Sequence, residues 1–194
     1  LVTADHVTGW RTVTDRVHAA GARIVAQLMH AGALSQGNRN GVPTVAPSAV
    51  VPRGVMMPEY GGSGPWPRPR ELSAAEIDDV VAGFAAAAVR AREAGFDGVE
   101  LHGANGYLLD QFLRDGANRR TDAYGGSLTK RLRLPLEVTE AVARVFGASR
   151  VGYKLSPYFP GYSMSDSNPI ETFTTIAKEL GKLGIGYLHV SEAI

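Results

Sequence analysis

The stretch Gly98-Val99-Glu100-Leu101-His102 decides the fold. It is short, carries the β-branched Val99 and apolar Leu101, and ends on a histidine, the pattern of a strand whose last side chain does something else. A helical signal precedes it. Ser73-Ala74-Ala75-Glu76 has capping-box form, and Ile77, Val80, Val81, Phe84 and Ala88 continue at the spacing of one helical face towards a stop near Gly95. Helix followed by strand is half of a βαβ unit, and the same alternation recurs on both sides.

Upstream, residues 5–20 carry Val7, Trp10, Val13 and Val17 at helical spacing, and Gly21 supplies a stop. Ile24-Val25-Ala26-Gln27-Leu28-Met29 is a nearly continuous apolar run, which predicts a strand buried on both faces. Residues 31–72 hold many of the glycines and prolines, including Gly61-Gly62-Ser63-Gly64-Pro65-Trp66-Pro67, and predict a long irregular excursion. Downstream, a polar, glycine-punctuated stretch from Arg114 to Gly126 leads to a helix expected over 127–146. Val151-Gly152-Tyr153-Lys154-Leu155-Ser156 reads as a third strand, 169–183 as a helix and 186–191 as a fourth strand.

Strand–helix alternation implies right-handed crossovers and a parallel sheet, either doubly wound or closed into a (β/α)₈ barrel. No Gly-x-Gly-x-x-Gly follows any of these strands, which removes the main sign of a Rossmann dinucleotide site. Polar residues collect instead at successive strand ends: His30, His102, Ser156 and Ser191. That distribution suits the catalytic face of a barrel. A whole barrel needs roughly 250 residues. The expectation is therefore an α/β protein, a (β/α)₈ TIM barrel with about four of its eight βα units present. Residues 1–194 form a single domain in this reading, and 31–72 are its loop excursion. The chain opens Leu1-Val2-Thr3, without Met, basic leader or apolar run, and its last residues read as a strand with nothing following. We expect a segment of a longer protein and no signal peptide.

Twenty Lys and Arg face 19 Asp and Glu, for a formal net charge of +1, so composition points to neither a nucleic-acid nor a membrane surface. No run approaches the ~18 apolar residues of a membrane span. The absence of cysteine rules out disulfides, thiolate zinc sites and cysteine-held iron–sulfur clusters within this stretch, and fits a cytoplasmic protein.

His102, Asn105 and Tyr107 form the constellation that bears on chemistry. Asn105 and Gly106 are turn formers placed between the strand end and a helix expected near Tyr107. His and Asn three apart across such a turn can aim N–H donors at one point, stabilising charge on a carbonyl or nitro oxygen. Tyr107, with an ordinary pKa of about 10, is a natural proton donor beside it. Spacing alone also allows a capping Asn with a His and a Tyr bonded to backbone. His30, His102 and His189 admit reading as metal ligands from successive strand ends, but no His-x-His or His-x-x-x-His pair supports it, and no metal is expected. His6 and His18 read as surface or packing residues on the first helix.

His102-Gly-Ala-Asn105-Gly-Tyr107-Leu-Leu-Asp-Gln-Phe-Leu, followed by Asn118-Arg-Arg-Thr-Asp-Ala-Tyr-Gly-Gly-Ser127, resembles the Old Yellow Enzyme family of FMN-dependent NADH:flavin oxidoreductases, in its substrate-tolerant branch. Val17 to His30 and Val151 to Pro157 extend the resemblance over nearly the whole chain, with 35–70 least diagnostic. The resemblance implies an ene-reductase that reduces activated alkenes with FMN as cofactor and NADH or NADPH as reductant. His102 and Asn105 would bond the substrate's electron-withdrawing oxygen, and Tyr107 would protonate the α-carbon while flavin N5 delivers hydride to the β-carbon. Gln27 would bond the pyrimidine side of the flavin, and Lys154 stands where the family usually has an arginine near flavin N1 and O2. Lysine keeps the charge but lacks arginine's planar fork of donors. Met29 replaces a common Trp, and Lys130 a common Asn. The Asn118–Ser127 run reads as architectural, with Asp122 and Arg119 or Arg120 tying the loop.

The family's first strand and its strands seven and eight, with the phosphate-binding end, are expected outside these residues, so no FMN phosphate ligand is named. The contrasting reading is a flavin-free half-barrel scaffold without catalytic activity. Its exposed sheet edges would favour a homo-oligomer. Relatives that reduce dienoyl-CoA with an iron–sulfur cluster differ at the His-x-x-Asn-x-Tyr positions.

Overall fold

A computed structural model describes residues 3–36 and 41–192. Leu1, Val2 and residues 37–40 of the excursion lie outside the described residues. Helix α1 spans Ala4–Ala19 and leads to strand β1, Val25–Leu28. Within the excursion, β2 (Val45–Ala46) and β3 (Arg70–Glu71) pair in parallel. Helix α2 (Ala74–Glu93) precedes β4 (Gly98–His102), and α3 (Leu108–Leu113), α4 (Leu128–Arg131) and α5 (Arg133–Phe146) precede β5 (Val151–Leu155). Helix α6 (Pro169–Lys182) leads to β6 (Tyr187–Val190).

The main sheet has the order β1-β4-β5-β6, every pair parallel. Each new strand is added beyond the last on the same side, without the reversal that defines a doubly wound sheet. This is the strand order of a (β/α)₈ barrel, of which the chain forms part. Register places Gln27 beside Glu100, Glu100 beside Gly152, and Gly152 beside Tyr187; one step along, His102, Lys154 and His189 align. Side chains alternate across a strand, so Gln27, Glu100, His102, Lys154, Tyr187 and His189 share the inner face.

The other face is the core. Val99, Leu101, Val151 and Tyr153 are fully buried against Ile77 and Ala88 of α2, Leu134, Val138 and Val142 of α5, and Ile176 and Leu180 of α6. Burying each such large aliphatic side chain contributes about 1.5–3 kcal/mol. The α2 capping box forms as the sequence indicates: Ser73 Oγ accepts from Glu76 N–H, and Glu76 accepts from Ser73 N–H at 2.8 Å.

Two expectations need correction. β1 is buried on one face only, with Val25 44% exposed and Gln27 open, because its inner face is uncovered among the described residues. The helix expected over 127–146 is two, α4 and α5, meeting at Leu132. Pro135 has no N–H to give Arg131, so the ladder breaks one turn before it. In α1, Trp10 and Val13 are exposed, and the helix is held by Thr14 Oγ1, which donates to Ala94 O at 2.6 Å, by His18 against Asp97 at 2.8 Å and by the Trp10–Phe96 ring contact.

The excursion is stitched down by the Asn118–Ser127 loop. Arg120 bonds Pro47 O at 3.0 Å, Leu72 O at 2.6 Å and the Asp122 carboxylate at 2.5 Å. Asn118 Nδ2 donates to Phe112 O and Tyr124 O. Among the described residues no helix is long and apolar enough to cross a membrane.

Candidate active site

His102 is the last residue of β4 and is 5% exposed. Burial first, and the Lys154 charge second, pull its pKa down to about 4. The ring is therefore neutral at physiological pH. Ala104 N–H donates to Nδ1 at 3.4 Å, which leaves the proton on Nε2 and makes that atom a donor.

The chain then turns within four residues to start α3. Asn105 takes a left-handed backbone, φ +54°, and Gly106 follows at +81°. Both conformations have hydrogen-bonded support. Asn105 N–H donates to Ser156 Oγ at 2.7 Å, and Gly106 N–H to Asp110 Oδ2 at 2.9 Å. Gly103 could be no other residue without movement, because a Cβ there would overlap the fully buried Tyr153 ring.

Tyr107 caps α3, and its ring meets that of His102 edge to face, centroids 4.8 Å apart. Burial raises its pKa, so the phenol stays protonated at neutral pH. Asn105 and Tyr107 line one cavity of about 360 Å³ with Ser156, Phe159, Tyr162 and Ser191. Tyr162 forms an aromatic wall there, holding φ +56° and meeting Trp66 of the excursion edge-on at 5.7 Å. The structure thus brings His102 to Tyr107, and Asn105 and Tyr107 to one cavity. A larger opening of about 690 Å³ runs between the end of β1 and α2; Gln27 and His30 touch it, but His102, Asn105 and Tyr107 do not.

Gln27 and Lys154 lie on the inner face. Gln27 Nε2 donates to Glu100 Oε1 at 2.6 Å, and His189 Nδ1 lies 3.2 Å from Glu100 Oε2. Burial would raise the Glu100 carboxyl, but the bonds from Gln27, Tyr187 and His189 outweigh it and hold its pKa below the ordinary range. His30 accepts Gly32 N–H at Nδ1 and keeps a lowered pKa through burial. Among the described residues no three His, Cys, Asp or Glu side chains are grouped to hold a metal ion.

Several residues that shape this region escaped the sequence reading. Asp110 and Arg114, both buried, pair at 2.8 Å inside and just beyond α3; their i,i+4 spacing was the available signal. Gln111, also buried, donates to Gly106 O at 2.6 Å and accepts from Ala33 N–H at 3.2 Å, tying the loop after β1 to α3. Glu100 and Tyr162 carry no local signal for their roles.

The inner face fits a flat heteroaromatic cofactor such as a flavin. It offers the open amide of Gln27 at one strand and, two strands away, the cation of Lys154, which makes no salt bridge among the described residues. An amide matches the alternating donors and acceptors of a pyrimidine edge, and an unneutralised cation suits a ring that becomes negative on reduction.

Comparison with known proteins gives the same direction. Residues 1–193 match the model of the NADH:flavin oxidoreductase / NADH oxidase family. The chain is 41% identical to 12-oxophytodienoate reductase 7 of Oryza sativa subsp. japonica over 97% of its own length and 50% of the relative's. It is 44% identical to a probable flavin mononucleotide-dependent alkene reductase of Leishmania infantum, covering 96% of this chain and 53% of that one. The solved old yellow enzyme homologue from Zymomonas mobilis superposes with a TM-score of 0.94 at 40% identity, over 98% of this chain and 54% of that structure. The chain therefore spans about half the length of the curated relatives it matches. With the His102–Tyr107 loop and the barrel strand order already in place, the match over 1–193 shows that this chain belongs to the NADH:flavin oxidoreductase / NADH oxidase family.

Proposed function

We propose that this chain supplies the substrate-polarising and proton-donating wall of an FMN-dependent reductase of activated alkenes, namely α,β-unsaturated carbonyl or nitro compounds, with NADH or NADPH as reductant. The observation that carries it is the shared cavity of Asn105 and Tyr107, with a neutral His102 packed on the Tyr107 ring.

When bound, FMN supplies the hydride chemistry. The chain's own residues do the rest. His102 Nε2–H and the Asn105 amide donate to the carbonyl or nitro oxygen and stabilise charge that builds there as the alkene is reduced. A neutral imidazole is the better partner for this, because it donates without surrendering its own proton. Tyr107 gives its phenolic proton to the α-carbon, a role its raised pKa keeps available across the neutral range. Gln27 would hold the pyrimidine edge, and Lys154 the region that turns negative on reduction. Similarity to the Leishmania relative, named a probable flavin mononucleotide-dependent alkene reductase, supports the same reaction class.

The test is spectroscopic and kinetic. The purified protein should be yellow, with flavin bands. Tyr107→Phe should slow oxidation of the reduced protein by an enone by roughly 10²–10⁴-fold, while its reduction by NADH or NADPH stays nearly unchanged. A colourless protein that takes up no FMN, or equal loss in both half-reactions, would overturn the assignment.

A further inference from the structure

We propose that Asp110, Arg114 and Ser156 form a closed positioning ring that holds Asn105 in the geometry needed for substrate binding. The proposal rests on the function assigned to Asn105 above and adds residues to it.

Four hydrogen bonds close the circuit. Asn105 N–H donates to Ser156 Oγ at 2.7 Å, and Arg114 Nη2 donates to Ser156 O at 2.5 Å. Arg114 Nε donates to Asp110 Oδ1 at 2.8 Å, and Gly106 N–H donates to Asp110 Oδ2 at 2.9 Å, returning to the residue beside Asn105. Asp110, Arg114 and Ser156 are each no more than 2% exposed. The ring joins three elements: the loop after β4, helix α3 and the end of β5.

Asn105 sits at φ +54°, a left-handed backbone that asparagine tolerates better than most residues with a Cβ, and two hydrogen bonds from its neighbours hold it there. Ser156 and Asp110 bond the two peptide N–H groups that flank the Asn105 Cα. Relaxation of Asn105 to right-handed backbone would carry its N–H off Ser156 and swing its side chain from the cavity it lines with Tyr107. The chemistry also demands a carboxylate at 110. Both partners of Asp110 are donors, Gly106 N–H and Arg114 Nε–H, and only an acceptor-only group satisfies both. An asparagine there would point its NH₂ at one of them.

A purely structural role would lower stability and leave the folded protein's kinetics alone. A positioning role makes a different forecast. In the FMN-loaded protein, Asp110→Asn and Ser156→Ala should each lower kcat/KM for 2-cyclohexen-1-one by roughly ten- to a hundred-fold, with FMN affinity unchanged. Ser156→Thr, which keeps the hydroxyl, should restore most of the loss. In an Asn105→Ala background the same two substitutions should add less than about twofold, since their route runs through Asn105. Ser156→Ala removes one oxygen atom only and keeps the test decisive if Asp110→Asn does not fold. Unchanged kcat/KM in Ser156→Ala, or losses that multiply with that of Asn105→Ala, would overturn the ring. Asn105→Ala with wild-type kcat/KM would instead overturn the substrate site, and the ring with it.

Discussion

Replacing His102 by Asn should remove a pH dependence of stability that the buried ring builds into the fold. In the native state His102 is 5% exposed and carries a pKa of about 4, against 6.5 in an unfolded chain. Between those values the unfolded state binds the proton and the folded state refuses it, so stability rises with pH across the window and is lost as pH falls through it. At 1.36 kcal/mol per pH unit, the whole effect is about 3 kcal/mol, of which roughly 2 kcal/mol appears between pH 7 and pH 4.5. Asn at this position keeps an acceptor for Ala104 N–H and has nothing to titrate. Urea denaturation of both proteins at pH 7 and pH 4.5 isolates the term: other depressed groups, His30 and Glu100 among them, are common to both and cancel in the difference. Wild type should lose roughly 2 kcal/mol more than the variant on acidification. Lys154→Met, which removes the second cause of the shift, should narrow that gap. Parallel loss in wild type and His102→Asn, or an imidazole resonance of His102 titrating at 6.5 or above, would refute a neutral His102 that donates through Nε2.

Tyr153 and Gly103 give two stability tests beside the site. The Tyr153 hydroxyl is fully buried with no hydrogen-bond partner among the described residues, and burial drives its pKa far up, so Tyr153→Phe should stabilise by about 1 kcal/mol, read as a melting temperature roughly 2–4 °C higher. A fall in melting temperature would mean that the hydroxyl is satisfied after all. Gly103→Ala should destabilise by at least about 1–3 kcal/mol, since the new methyl meets the outer part of the Tyr153 ring. In a Tyr153→Leu background, which lacks those ring atoms, the measured penalty should shrink.

How legible these features were in the sequence depends on how local their causes are. The α2 capping box needs only Ser73 and Glu76, three residues apart, and both the signal and the bonds are present. Strand–helix alternation, the missing glycine fingerprint and polar residues at the strand ends point to a barrel, and the strand order agrees. Burial of β1 was misjudged because an apolar run such as Ile24–Met29 does not state which neighbours cover it. The break at Leu132 has a local signal in Pro135, whose missing N–H interrupts the helical ladder one turn earlier. At the site, His102, Asn105 and Tyr107 fall within one turn of chain and could be read as a unit. Ser156 stood out only as a polar strand end. Its bond to Asn105 spans 51 positions, a pairing created by the β4–β5 register. Tyr162 holds a left-handed backbone while its ring meets Phe159 and Trp66, and no local pattern announces either feature.

The inner face of the sheet separates the cofactor reading from the scaffold reading. A barrel interior filled only for structure is layered with Val, Ile and Leu. Here the inner rows present Gln27, Glu100, His102, Lys154, Tyr187 and His189. Glu100 gathers the Gln27, Tyr187 and His189 side chains around one carboxylate. That commitment has a consequence for Gln27. With one Nε2–H donated to Glu100 at 2.6 Å, the amide is held in one orientation and keeps its second N–H and Oε1 for a ring edge. A scaffold has no use for an oriented amide at one strand and an unneutralised cation two strands away. A pyrimidine edge that gains negative charge on reduction would use both, with Glu100 setting how the Gln27 amide is turned towards it.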